Sequence, residues 1–319
     1  MTLSIITPVY KGAKELGKFL EKIREQTSKD FEIILIVDTT YEGVLDIIQK
    51  HVPKLGSKIK IIFNSKRGTR TSAINLGAKS AKGKYSIIMS LHNSFNNKFI
   101  SEAVKVIKDK KTDIIEFKAR FSSPIKFNGT IRKDFSKPTD IDDNSEIHAF
   151  TYPVDFNKFF KTDVLVHSAK YKLPVQLNSR FSIDATYLSL LVAKTYSTIN
   201  KVFVVGKSRV DDEFNPIKMI RQWESLMALV AKYTSLASIE RYIYAQYYAE
   251  SVLISAFVKA TKNKPAIKKF NEKFKKQKTS EFALIFEKNK YANTIAKEYI
   301  VLSNYVSIHQ LPKIHKELG

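Results

Sequence analysis

The chain has 319 residues, 44% of them hydrophobic, enough for one large domain with an appendage and a real core. It contains no Cys, which excludes a disulfide framework and any Cys-ligated zinc and fits a reducing compartment. The net charge of +23 either draws polyanions to the surface or reflects a bias toward Lys, so clustering matters more than the total.

The first residues, Met1 to Gly12, lack the basic and apolar segments of a secretory signal. No apolar run approaches the roughly 18 residues of a membrane-spanning helix. Leu3–Pro8 reads as a buried strand closed by Pro. A helix follows from about Ala13 to Thr27, with Leu16, Phe19, Leu20 and Ile23 on one face. Phe31–Val37 is a near-continuous apolar run, as in a strand covered on both faces. Val44–His51 reads as a helix stopped by Pro53, Ile59–Phe63 as a strand, and Thr71–Ala81 as a helix with Gly83 suited to a left-handed cap. Tyr85–Met89 (strand), Ile100–Lys108 (helix) and Asp113–Lys118 (strand) continue the alternation, which predicts a doubly wound α/β sheet with its ligand beyond the strands' carboxyl ends.

From about Ala119 to Asn144 the pattern fails, leaving a polar, turn-rich loop or insertion. Order returns at Tyr152–Lys161. A single helix is expected over Asp184–Tyr196 and a strand over Val202–Val205. After Pro216 the chain turns long, helical and Tyr-rich, from Ile217 to about Lys259, with further helices roughly over Ala266–Lys276, Ser280–Glu287 and Tyr291–Val306. We place a domain boundary there: residues 1–215, then a basic helical region over 216–319.

Three pieces carry a family resemblance. They are Ser4-Ile5-Ile6-Thr7-Pro8-Val9-Tyr10, then Phe31 through Asp38, then Ala73-Ile74-Asn75-Leu76-Gly77 leading to Ala81-Lys82-Gly83-Lys84-Tyr85. In this order and spacing they resemble the inverting family 2 glycosyltransferases of the GT-A fold. The resemblance covers the first hundred residues well and thins afterwards.

What it implies can be stated residue by residue. Asp38 would accept a hydrogen bond from the uracil or ribose of a nucleotide-sugar; the alternative is a turn-capping Asp. The second acid expected after it is Thr39. Thr7, Pro8 and Tyr10 would line the same donor pocket, or simply end a strand. Arg70 would face the donor diphosphate, or be a solvated Arg.

The family's Asp-x-Asp metal motif falls at Ser90-Leu91-His92, a hydroxyl and an imidazole in place of two carboxylates. A divalent cation, Mg²⁺ or Mn²⁺, is usual for the family but not supported by these ligands. His92 is open to three readings: a ligand for a softer metal, a phosphate donor or a structural residue. Asp184 matches the family's general base, although an N-cap Asp would look the same in sequence. The Glu expected before it is Ile183.

Between Lys259 and Lys278 stand nine Lys and one acid, Glu272, interleaved with Phe270 and Phe274. Lys268, Lys269, Lys273, Lys275 and Lys276 are the candidate contacts to an anionic membrane. A solvated helix face is the plainer alternative. No nucleic-acid-binding motif accompanies the Lys cluster.

The expected protein is therefore a cytoplasmic enzyme, peripheral on the inner face of the cell membrane. It would move a sugar from a nucleotide-sugar, UDP-linked, to a lipid or polysaccharide acceptor. The rival is a binding protein on the same fold without turnover, because four expected acids are missing.

Overall fold

The computed structural model describes residues 1–254 apart from 11, 39–42, 66–67, 124–125, 178–181, 208–215 and 234–235, together with Pro265, Lys268, Glu272 and Tyr291. The first half alternates as its apolar periodicity predicts: β1 (Leu3–Val9), α1 (Ala13–Arg24), β2 (Phe31–Asp38), α2 (Val44–Leu55), β3 (Ile59–Asn64), α3 (Arg70–Ser80), β4 (Tyr85–Ile88), α4 (Phe99–Lys110) and β5 (Ile114–Phe117). Then come β6 (Arg120–Ser123), β7 (Phe127–Asn128), β8 (Thr139–Asp140), α5 (Glu146–Phe150), β9 (Lys158–Lys161), α6 (Thr162–Ser168), α7 (Asp184–Leu190), β10 (Thr195–Ile199) and β11 (Val205–Lys207). Helices α8 (Pro216–Val230) and α9 (Leu236–Tyr248) follow, the latter running into a π-helical turn over Ala249–Ile254.

Eight strands form the main sheet in the order β3-β2-β1-β4-β9-β5-β10-β8. β3, β2, β1 and β4 are parallel, β9 runs antiparallel between β4 and β5, and β5 and β10 are again parallel. β1 and β2 are buried at every residue, which matches their unbroken apolar sequence. The chain steps from β1 to β2 on one side and reaches β4 on the other. The carboxyl ends of β1 and β4 therefore flank the switch point where such sheets take ligands.

Helix α3 packs against β1 through Gly77, where an added Cβ would lie 2.5 Å from Ile6 Cγ2. Close approach, not a turn, explains this Gly. The same holds for Gly83, which is not left-handed as expected. Ala81 caps α3 in an extended conformation, and a Cβ on Gly83 would meet Ser4 Oγ at 2.6 Å.

Other expectations need correction. α2 runs through Pro53 to Leu55; the Pro sits in the last turn, where its missing N–H removes one helical bond, and Gly56 at φ 55° ends the helix. The stretch 119–144 holds a β6–β7 hairpin, which joins β11 in a second three-stranded sheet, and β8, which edges the main sheet. The helix expected over Asp184–Tyr196 stops at Leu190, and Thr195 and Tyr196 enter β10, where Tyr196 pairs with Ile114. β11 begins at Val205, where the expected strand ended.

Helices α8 and α9 are packed into the core. Trp223 and Tyr242 lie against Tyr187 at 4.9 and 5.9 Å between ring centroids. The guanidinium of Arg132 sits 3.4 Å from the centroid of the Tyr248 ring and donates to the carbonyls of Ala149 and Thr151. Among the described residues no helix is long and apolar enough to cross a membrane. The Lys cluster falls outside the described residues except for Lys268, which is exposed.

Candidate active site

The side expected to hold the donor is built at the ends of the parallel strands. Asp38 closes β2 and is 3% exposed. Its register partner on β3, Asn64, donates Nδ2 to Asp38 Oδ1 at 3.0 Å, and the Gly68 N–H reaches Oδ2 at 3.3 Å. A carboxylate held by two neutral donors keeps lone pairs for a third. Its bonds run to the β3–α3 connection, so Asp38 organises that loop as well as ending a strand.

Thr7 and Pro8 are buried at the end of β1, and Tyr10 is half-buried just beyond. After β4 the chain turns at Ser90, whose N–H donates to Asn93 Oδ1 at 2.7 Å. Thr7 Oγ1, Ser90 Oγ and Asn93 Nδ2 are buried with no hydrogen-bond partner among the described residues. Orphans of this kind at strand ends mark places where a ligand or water completes the bonding. His92 lines a groove of about 330 Å³ together with Lys18, Lys22, Asn93 and Lys207. These Lys residues belong to no motif, so nothing in the local pattern singles them out.

The second side gathers around α3. Thr69 caps that helix through a reciprocal bond with Ser72 and also donates to Gln176 at 2.7 Å. Arg70 and Thr71 follow in the first turn. Arg70, expected either to face the diphosphate or to be solvated, is not solvated: it is 4% exposed and directs Nε to Asp155 Oδ2 at 2.8 Å. Its charge is balanced inside the protein.

A second buried ion pair lies within the electrostatic reach of Asp155. Lys158, fully buried, pairs with Glu116 at 2.9 Å and donates to the carbonyls of Tyr152 and Val154. Glu116 in turn accepts from Thr151 and from the Tyr152 N–H. Burial lowers the Lys158 pKa, and Glu116 works against that shift.

Asp184 is the centre of this side and is 2% exposed. It does not cap a helix: Ile183 is the N-cap residue of α7, and no side chain makes a capping bond there. The Asp184 carboxylate instead accepts from the Thr71 hydroxyl at Oδ2 and from Gln222 Nε2 at Oδ1, the latter at 2.8 Å. Burial pushes its pKa up to about 6 and the negative charge of Asp155 adds to the rise, while the hydroxyls of Thr71 and Ser182 oppose it. A cavity of about 10 Å³, room for one water or one hydroxyl, is lined by Asp184, Thr71, Asn75 and Ser168 and walled by Ile74, Leu165 and Leu188. The β3–α3 connection joins the two sides, since Gly68 binds Asp38 and Thr71 binds Asp184.

A metal at the Ser90–His92 turn does not fit the side chains present. Among the described residues no group of three or more His, Asp or Glu is placed to hold an ion. One imidazole and one hydroxyl are a poor set for Mg²⁺, which prefers carboxylate oxygen.

Comparison with known proteins supplies the rest. The family model described as Glycosyl transferase family 2 matches residues 4–167, just over half the chain. The chain belongs to glycosyl transferase family 2. Among relatives, glycosyltransferase GlyG of Streptococcus pneumoniae is 24% identical over 113 residues, 35% of this chain and 37% of that protein. The poly(ribitol-phosphate) beta-N-acetylglucosaminyltransferase TarS of Staphylococcus aureus is 22% identical over 122 residues, 38% of this chain and 21% of that protein. An uncharacterized glycosyltransferase of Mycoplasma genitalium is 25% identical over 224 residues, 65% of this chain and 68% of that protein. The chain thus aligns with less than half the length of GlyG and of TarS.

The crystal structure of TarS residues 1–349 with UDP superposes at a TM-score of 0.62 and 17% identity, over 79% of this chain and 73% of that one. The mannosyltransferase PcManGT of Pyrobaculum calidifontis, in complex with GDP-Man and Mn²⁺, superposes at 0.57 and 14%, over 97% and 81%. The fold is the GT-A-type α/β sheet, with helices following it.

Proposed function

We propose that this family 2 protein transfers a sugar, with inversion, from a uridine-diphosphate sugar to a hydroxyl of a lipid or polysaccharide acceptor. The observation that carries the proposal is Asp184: a buried carboxylate with a raised pKa, held by two neutral donors beside a cavity that fits one hydroxyl. A base must be ionised yet willing to take a proton near neutrality, and this environment produces that balance. The acceptor O–H bond breaks and its proton passes to Asp184. The freed oxygen bonds to the anomeric carbon from the face opposite the diphosphate. The carbon–phosphate-oxygen bond breaks with its electron pair going to the departing nucleoside diphosphate.

Asp38 binds the uridine end and the buried Thr7 hydroxyl finds its partner there; the UDP and UDP-GlcNAc held by the structurally similar TarS support a uridine donor. Since Ser90 and His92 are a poor set for a metal, the leaving charge falls to His92 and to the first turn of α1, which starts just past the end of β1. Helices α8 and α9 cover the acceptor side. The Lys-rich segment around the exposed Lys268 docks the protein on an anionic membrane.

The second reading, a fold kept for binding alone, draws on the missing acids at Thr39, Ser90, His92 and Ile183. One experiment separates the two: incubate the protein with UDP-sugars and lipid or saccharide acceptors, in EDTA and separately with Mg²⁺ or Mn²⁺, measuring both UDP binding and UDP release. Release that depends on the acceptor supports the enzyme. Binding without release, across all acceptors, supports the second reading.

A further inference from the structure

We propose that Gln222 on α8 is a positioning residue for Asp184, fixing which carboxylate oxygen receives the acceptor's proton. The inference rests on the reading of Asp184 as base. It extends that site into the helical region, and Asp184 and Gln222 both lie beyond residues 4–167, which the family model covers.

The geometry is a two-ended clamp. Gln222 is fully buried. Its Nε2 donates to Asp184 Oδ1 at 2.8 Å, and its Oε1 accepts the Ile183 N–H at 3.2 Å. The two ends of one amide thus grip two consecutive residues where α7 begins. The grip also fixes the amide's orientation. If the amide were flipped, its oxygen would face a carboxylate and its NH₂ would face an N–H, so both contacts would turn repulsive.

The helix that carries Gln222 cannot drift. Trp223, the next residue, packs edge-on to Tyr187 of α7 at 4.9 Å between centroids, and Met219 and Ile220 are buried on the same helix. The side chain is therefore locked by packing, as positioning of a reactive group requires.

The consequence is an asymmetric carboxylate. Oδ1 is taken by Gln222. Oδ2 accepts from the Thr71 hydroxyl, and Thr71 and Asp184 together line, with Asn75 and Ser168, the cavity sized for one hydroxyl. An acceptor hydroxyl entering there meets Oδ2. The groups that bear on Asp184 come from several elements: the Asp155 charge, paired with Arg70 of α3; the Thr71 hydroxyl of α3; the Ser182 hydroxyl just before α7; and the Gln222 amide of α8. Like the Thr71 hydroxyl, the Gln222 amide donates to the carboxylate, and such a bond favours the ionised form against burial.

The test compares Gln222→Leu, which keeps bulk and loses both bonds, with Gln222→Glu, which keeps shape and replaces the donor by an acceptor. Two readouts are used. The first is the Asp184 carboxyl titration by carbon NMR, which needs no turnover. Its midpoint is expected to rise by about one pH unit in Gln222→Leu, the loss of one hydrogen bond to a charged group. In Gln222→Glu it rises further, because two adjacent carboxyls share a proton. The second readout is the pH profile of transfer. Its acid limb should move up with the titration, and kcat should fall roughly tenfold or more while the KM for the donor stays unchanged.

A role confined to packing would lower stability and leave both the titration and the acid limb where they are in the parent protein. That result, in either folded variant, overturns the proposal. Should Gln222→Leu not fold, the isosteric Gln222→Glu decides alone. If the parent protein transfers no sugar, the base reading fails, and the NMR titration still decides whether Gln222 governs the Asp184 carboxylate.

Discussion

The two ends of the site differ in how their central groups are held. At the base end, Asp184 accepts on both oxygens, Gln222 uses both ends of its amide, and Arg70 is paired with Asp155. At the donor end, Thr7 Oγ1, Ser90 Oγ and Asn93 Nδ2 are buried with no partner among the described residues. The Asp184 carboxylate is held on both oxygens before any ligand arrives, although Ser182 Oγ next to it is itself buried without a partner among the described residues, whereas the donor end leaves all three of its groups with bonding capacity to spare. The difference teaches where binding energy goes: a ligand at the donor end gains bonds that the protein does not make for itself, and the base end needs no rearrangement to hold its charge.

The largest expected effect breaks the base end outright. Asp155→Ala leaves the Arg70 charge buried without its carboxylate and should lower stability by roughly 3–5 kcal/mol, read from urea denaturation. A loss below about 1 kcal/mol would mean that Arg70 is balanced by other groups, and the base end would then not depend on this pair.

Asp184→Asn comes next and has two opposite consequences. Turnover should fall at least about 100-fold, because an amide takes no proton at neutral pH. Stability should rise. The Asp184 pKa is raised from 3.8 to about 6, so between those values the folded state holds a proton that the unfolded state has lost. Stability contributed by this group therefore falls as pH climbs from about 4 to about 6, by on the order of 3 kcal/mol. Asn removes that penalty, and Tm at pH 7 should increase by a few degrees while at pH 4 it stays near the parent value. A Tm unchanged at both pH values would contradict the raised pKa.

How much of this was readable beforehand depended on the kind of residue. β1 and β2 were legible because a strand covered on both faces is written as an unbroken apolar run. Asp38 and Asp184 were legible as acids at the expected places in a family pattern. Gln222, Thr71 and Asp155 were not, because their roles arise from contacts across 38, 113 and 85 residues of sequence, and no local spacing encodes such contacts. For Asp155 a faint signal exists: a lone acid inside Pro153-Val154-Asp155-Phe156 has no obvious reason to be buried unless paired. Antiparallel β9 was hidden because its four residues, Lys158–Lys161, are too short to show a period. The Asp184–Tyr196 helix was overextended because Thr195 and Tyr196 continue an apolar pattern that only pairing with β5 resolves as a strand.

Two smaller effects sharpen the donor side. Asp38→Ala should weaken UDP binding by roughly 1.5–3 kcal/mol in calorimetry, the value of a hydrogen bond to a charged group. Unchanged affinity would leave Asp38 with the β3–α3 loop alone. Changing Lys268, Lys269, Lys273, Lys275 and Lys276 to Gln should remove most binding to anionic vesicles, at about 1 kcal/mol per Lys, and the parent protein's binding should weaken as salt rises. Equal sedimentation with neutral vesicles would end the docking proposal.

The most direct test of the central claim is the pH profile of sugar transfer measured in EDTA. A base end organised around Asp184, beside a donor end without metal carboxylates, predicts transfer that persists under chelation. Its acid limb should fall near pH 6, and Asp184→Asn should abolish transfer. Transfer that disappears in EDTA and returns with Mg²⁺ or Mn²⁺, or that survives Asp184→Asn with the same profile, would contradict it.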